Sequence, residues 1–163
     1  MKKVLSLGIV LLISLFLLAS TACAAAGPQT KMAYIVKSYA ANGKQYLAVD
    51  WIKWVGIKEA KADPAIWKAA TKAGAVQHDE TGDYFDDDYY IYNPDKTPQK
   101  LQLAKNVKIS LCDFNSSNPA EHSKLVSLKD LQKKIKTEGY EDTTFNVTVS
   151  KNIITAVSEQ YRP

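Results

Sequence analysis

Six carboxylates fall between positions 79 and 88: Asp79, Glu80, Asp83, Asp86, Asp87 and Asp88. Hard divalent cations take several oxygen ligands at once. The set Asp79, Asp83, Asp86, Asp87 and Asp88 is therefore where a calcium site could be built, and calcium is the one cofactor this chain suggests. The spacing departs from an EF-hand loop, because Gly82 does not hold the sixth place of an Asp-x-Asp-x-Asp run. The competing reading is an acidic loop kept in water by its own charge. Tyr84 and Phe85 interrupt the run and Tyr89 follows it. Rings inside such a polar stretch are hard to explain by packing. Tyr84, Phe85 and Tyr89 are therefore the expected contact surface for a sugar or peptide. Trp51, Trp54, Trp67, Tyr90 and Tyr92 read as strand and core packing.

Other chemistry is sparse. His78 and His122 are the two histidines, and neither falls in a His-Glu-x-x-His motif or beside paired cysteines. No Gly-x-Ser-x-Gly elbow, dinucleotide glycine fingerprint or Walker loop occurs among seven glycines. Asp50, Glu59 and the acidic run could supply an acid–base pair for glycoside hydrolysis, which leaves a small hydrolase as an alternative. Lys129, Lys133, Lys134 and Lys136 form a basic helix face, either solvated or able to touch anionic envelope polymers and lipid headgroups. Cys112 has no Lys or His beside it in sequence and reads as a small buried group rather than a nucleophile.

These residues follow an export-type leader. Lys2 and Lys3 precede an apolar run from Val4 to Ala19, and small residues then extend to Ala26. That three-part layout is a secretory signal, and its apolar stretch is shorter than the ~20 residues of a membrane span. Two processing routes fit. Ala24 and Ala26 suit a general signal peptidase cut before Gly27. Ser20-Thr21-Ala22-Cys23 matches a lipobox at three of four places, and would leave Cys23 diacylated and anchored. The expected location is therefore extracytoplasmic, secreted or lipid-anchored on the outer face of the membrane. With Cys23 removed or acylated, Cys112 has no disulfide partner. Asn115-Ser-Ser and Asn146-Val-Thr match glycosylation sequons but carry little weight beside a bacterial-type signal.

Residues 27–163 carry nineteen basic and seventeen acidic side chains, a net of +2. This near-neutral balance argues against a nucleic-acid partner. Arg162 is the sole arginine, so bidentate clamps on phosphate or carboxylate have almost no material.

The elements that must position these residues fit one domain over 33–163 after a short linker at 27–32. Ala33–Tyr39 and Gln45–Val55 read as strands joined at Asn42-Gly43, the strongest short hairpin signal. Asp63-Pro64 opens a helix that Gly74 closes. Tyr89–Tyr92, Leu101–Leu103 and Val107–Leu111 read as short strands. Ser127 caps a second helix, with Asp130 at the capping-box position. Phe145–Val149 and Ile153–Tyr161 form a terminal hairpin. The order β-β-α-β-β-α-β-β predicts an α+β domain with a mainly antiparallel, curled sheet. Without 57–87, what remains is close to a small OB-like barrel plugged by a helix.

Tyr34-Ile35-Val36, Leu47-Ala-Val-Asp50-Trp-Ile-Lys-Trp54, Asp88-Tyr-Tyr-Ile-Tyr-Asn93, Val147-Thr-Val-Ser-Lys-Asn-Ile153 and Glu159-Gln-Tyr-Arg-Pro163 span most of the chain beyond the leader. In these pieces the chain resembles an uncharacterised family of small exported proteins and lipoproteins of Gram-positive bacteria. The resemblance implies export and one small domain, and brings no site residues. The expected function is a non-enzymatic extracytoplasmic binding domain for an envelope or extracellular ligand. It would meet the membrane only through a lipid anchor. A calcium-dependent module using 79–88 is the main alternative.

Overall fold

A computed structural model describes residues 27–113, 122–139 and 141–162. The leader, Cys23 and the Asn115 sequon lie outside the described residues. The first strand, β1 (Gln29–Ala41), turns through Asn42 and Gly43, both in the left-handed region (φ 51° and 70°), into β2 (Lys44–Trp51). Two such residues in succession make the type I′ turn that matches strand twist. The linker expected at 27–32 is corrected here. Gln29–Met32 begin β1 and pair with the far end of the chain, Gln29 opposite Val149.

Five strands close a barrel. β1 and β2 pair antiparallel, and β2 pairs with β7 (Gln99–Cys112). The terminal hairpin β9 (Thr144–Ser150) and β10 (Ile153–Gln160) completes the ring, with β9 on β1 and β10 on β7. The β7–β10 contact is parallel and the other barrel pairs are antiparallel. This is the small OB-like barrel within a mainly antiparallel α+β fold that the strand order predicted. The two short strands expected near 101 and 107 are one. The pairing with β10 jumps from Leu103 opposite Ile154 to Lys108 opposite Ala156. The polar Lys105-Asn106 step is thus a bulge at a barrel corner, where a strand bends without ending. The edge strand β8 (Ser123–Leu125) pairs with the end of β7.

Helix α3 (Leu128–Thr137) bridges β7 to β9 and plugs the barrel. Ser127 accepts from the Asp130 amide while the Asp130 carboxylate accepts from the Ser127 amide, which satisfies donors that a helix start would otherwise orphan. Leu131, fully buried, enters a core of Ile35, Leu47, Val49, Phe145, Val147 and Ile154, and Leu128 and Ile135 pack around it. Lys134 reaches Glu138 at 2.8 Å and Glu159 at 3.0 Å, tying α3 to β10.

The segment between β2 and β7 folds on the outside. β3 (Lys53–Val55) pairs with β6 (Tyr90–Tyr92) around two helices, α1 (Ile57–Ala62) and α2 (Pro64–Lys72). Asp63 caps α2 as its sequence requires, and Pro64 takes the first helical position. The span 57–62, with no helix expected, is helical because Glu59 folds back to accept from the Gly56 amide at 3.0 Å. Val55, Ala60, Ile66, Ala70 and Phe85 give the insert a small core of its own.

Candidate functional site

Part of the acidic run forms a two-stranded ribbon, β4 (Val76–Asp79) and β5 (Gly82–Phe85), where sequence pattern indicates a loop; Asp86, Asp87 and Asp88 follow it in a turn. Asp79 and Asp83 serve that ribbon. Asp79 accepts from the Thr81 hydroxyl and amide, both at 2.7 Å, and from the Gly82 amide, which folds the turn. Asp83 takes Lys61 of α1 at 2.7 Å and hydrogen-bonds His78 across the ribbon. Asp86, Asp87 and Asp88 are exposed. Among the described residues no group of three or more His, Cys, Asp or Glu comes together as a metal-binding set. Burial corrects the aromatic surface. Phe85 is 2% exposed inside the insert core, Tyr89 stacks on Trp54 with ring centroids 3.8 Å apart, and Tyr84 alone of the three faces outward. The three make no joint platform.

The ribbon should be acid-sensitive. The Lys61 hydrogen bond, with a further one from His78, holds the Asp83 carboxyl below the usual aspartate range. The Thr81 hydroxyl and the turn amides do the same for Asp79. A lowered folded-state pKa stabilises above the unfolded value, and that stabilisation is lost as pH falls through the folded values. The melting temperature should therefore drop below the ordinary aspartate range. Asp83→Asn should remove part of that drop; superimposable pH profiles for the two proteins would contradict this origin.

Cys112 is partly buried, and its amide donates to Glu159 at 2.8 Å. Burial first, and the Glu159 charge second, push its thiol pKa up, away from thiolate chemistry.

Asp50 is fully buried on the outer face of β2 and accepts from the Asn93 amide at 2.9 Å. Arg162 lies close by. Its Nε donates to the Tyr89 hydroxyl at 3.3 Å and its Nη1 to the Glu141 carbonyl at 2.9 Å. Two distinctive sequence pieces, Asp88–Asn93 and Glu159–Pro163, thus meet where the insert is pinned to the barrel. Of the carboxylates considered for acid–base work, Asp50 is buried and Glu59 accepts from the Gly56 amide at the start of α1.

The pin covers one end of the outer face of β2 and leaves the other open. Outward residues of β2 run Tyr46, Ala48, Asp50. At Asp50 the neighbour on β1 is Tyr34, 6% exposed, and Asn93 lies across the pair. At Ala48 the row reads Lys37, Ala48, Lys100 across β1, β2 and β7; at Tyr46 it reads Tyr39, Tyr46, Gln102. The Tyr39 and Tyr46 rings stack at 5.6 Å and 17°. The Lys100 ammonium lies 4.3 Å from the Tyr46 centroid and 5.0 Å from that of Tyr39, with Lys37 5.8 Å from Tyr39. Neither lysine is among the ion pairs of the described residues. Their strands sit about 10 Å apart with only the methyl of Ala48 between. The result is two ammonium groups beside a pair of rings, neither of them in an ion pair with a described residue.

Sequence reasoning missed this patch, although half of it was available. A two-residue turn at 42–43 places 39 opposite 46. Lys100 was out of reach, because its pairing with β2 crosses the whole insert.

At the far end of β2, a cleft of about 410 Å³ opens at the barrel mouth between Lys31, Trp51, Gln99 and Asn152. The Trp51 indole there is committed to Gln99 at 2.8 Å. Comparison of the chain with protein-family models, with curated proteins and with solved structures gave no match.

Proposed function

We propose that this chain is an exported, non-enzymatic binding domain, and that the Tyr39–Tyr46 face with Lys37 and Lys100 takes an anionic glycan of the cell envelope. The observation that carries the reading is the pairing of ammonium groups that make no ion pair among the described residues with stacked rings on the half of β2 left open by the insert. Ring faces suit the apolar faces of sugars, and lysines supply point charges for carboxylate or phosphate. In small OB-like barrels this side of the sheet is a common place for oligosaccharides and oligonucleotides. The charge layout agrees. Residues 52–98 hold nine acidic and six basic side chains, whereas the rest of the chain from 27 onward holds eight acidic and thirteen basic. An approaching anion is steered toward the barrel and away from the insert. Export is supported by the leader over residues 2–26, and anchoring through Cys23 is compatible with it.

The test uses trigalacturonate, a short sugar acid, against neutral maltotriose. The acid should bind, and binding should weaken with salt because exposed charges are screened. Tyr46→Ala combined with Lys100→Gln should weaken it about tenfold or more, in line with the loss of a stacking surface and a charge. Equal binding of both sugars, or indifference to the double substitution, would overturn the reading.

A further inference from the structure

Lys37 belongs to two features at once. On one side it lies over Tyr39. On the other it lines a groove of about 920 Å³ between β1 and α3, with Val36, Ser38 and Ile135 along it and Lys129, Lys133 and Lys136 on its helical wall. The bulge at Val36 lets both happen. The β1–β2 register jumps between Ile35 and Lys37, and Ser38 accepts from the Gln132 side chain at 3.1 Å. The three helix lysines are exposed and absent from the ion pairs of the described residues. Asp130 is the single carboxylate among the lining residues; its Oδ2 accepts from the Ser127 hydroxyl and amide at 2.6 and 3.0 Å, and its one negative charge, which Lys129 and Lys133 feel, leaves the three helix lysines in excess. Lys134 points elsewhere, to Glu138 and Glu159.

We infer that the ligand is a linear polyanion that runs from the Tyr39–Tyr46 platform over Lys37 into the α3 groove, rather than a small monovalent sugar. This rests on the platform being the binding face. Positions 129, 133 and 136 lie on one side of the helix, at steps of about 6 and 4.5 Å along its axis. A ligand using all three needs a negative charge at about that repeat, which is one charge per monosaccharide-sized unit. Arg162, the chain's only arginine, is taken up by Tyr89 and the Glu141 carbonyl, so every cation on the track is a lysine. Rotatable point charges follow a repeating charge without demanding one bidentate geometry. The track therefore reads charge density along a chain. Carboxylate and phosphate chains share that chemistry.

The experiment compares labelled oligogalacturonates of about three and about twelve units, with a linear polyphosphate of similar charge as the ringless arm. Counted per trimer-length frame, of which a chain of twelve units offers about ten, the longer oligosaccharide should still bind at least tenfold more tightly than the trimer, and its affinities are compared on that basis throughout. Lys129→Gln, Lys133→Gln and Lys136→Gln together should return it to the trimer's affinity while leaving trimer binding within twofold. The slope of log affinity against log salt should fall by about one per lysine removed. Polyphosphate should lose affinity in the triple variant yet ignore Tyr46→Ala. Equal affinity for short and long chains, or a triple variant that binds the long chain like the native protein, overturns the polymer track and leaves the platform standing. Trimer binding that ignores Tyr46→Ala with Lys100→Gln overturns the platform itself. Circular dichroism confirms that the variants keep their fold.

Discussion

Leu131→Ala is expected to lower the unfolding free energy by about 2–5 kcal/mol, the range for emptying a buried leucine site. Leu131 is fully buried, sits on α3 and enters the core beside Ile35, Leu47 and Phe145. An OB-like barrel of five strands has an open end that strands cannot fill, and a single helix fills it here. The same helix carries the lysine track on its outer side, so the substitution hollows the plug while leaving the surface charges in place. Urea denaturation checks it: the midpoint should move with little change in slope. A loss under about 1 kcal/mol would mean that α3 is not the plug.

Asp50→Ala should cost about 1–3 kcal/mol, the range for leaving a buried polar partner unsatisfied. Its carboxylate accepts from Asn93 in a position fully shielded from water. Alanine removes that acceptor and leaves a buried amide donor without it, so the loss exceeds that of an ordinary hydrogen bond. Asp50→Asn keeps the volume and an acceptor oxygen, and should cost clearly less. The pair of variants separates a polar pin from simple packing, and thermal unfolding of both reads it. Equal effects would contradict the pin. The pin also decides which half of the outer face of β2 the insert covers, and so where the Tyr46 platform begins.

Much of this fold is local chemistry and was legible for that reason. Asn42-Gly43, the Asp63-Pro64 cap and the Ser127–Asp130 capping box each fix backbone geometry within four residues. Their outcomes depend little on what surrounds them. Closure of the barrel could be proposed from strand order, but its parallel β7–β10 contact joins segments about fifty residues apart. Composition misled at the acidic ribbon. The ribbon buries only its Val76–Phe85 end, too little to impose alternation along its length, so 76–88 looked like loop. Phe85 looked stranded among aspartates, although it is the one ring that the ribbon sends into the insert core. Polar Gln29–Met32 resembled a linker because only their pairing with β9 makes them a strand. The binding face was the hardest part to see. Tyr39 and Tyr46 are tied by a turn, yet their lysines come from a bulged β1 and from β7, and only the folded barrel puts them in one row.

The most direct test of the central proposal is to follow the tyrosine ring resonances by NMR while trigalacturonate is added. Tyr39 and Tyr46 should shift first and saturably, with Tyr84 and Tyr89 unmoved. Shifts that begin at Tyr84 on the acidic ribbon, or no saturable shift at Tyr39 and Tyr46, would contradict the account.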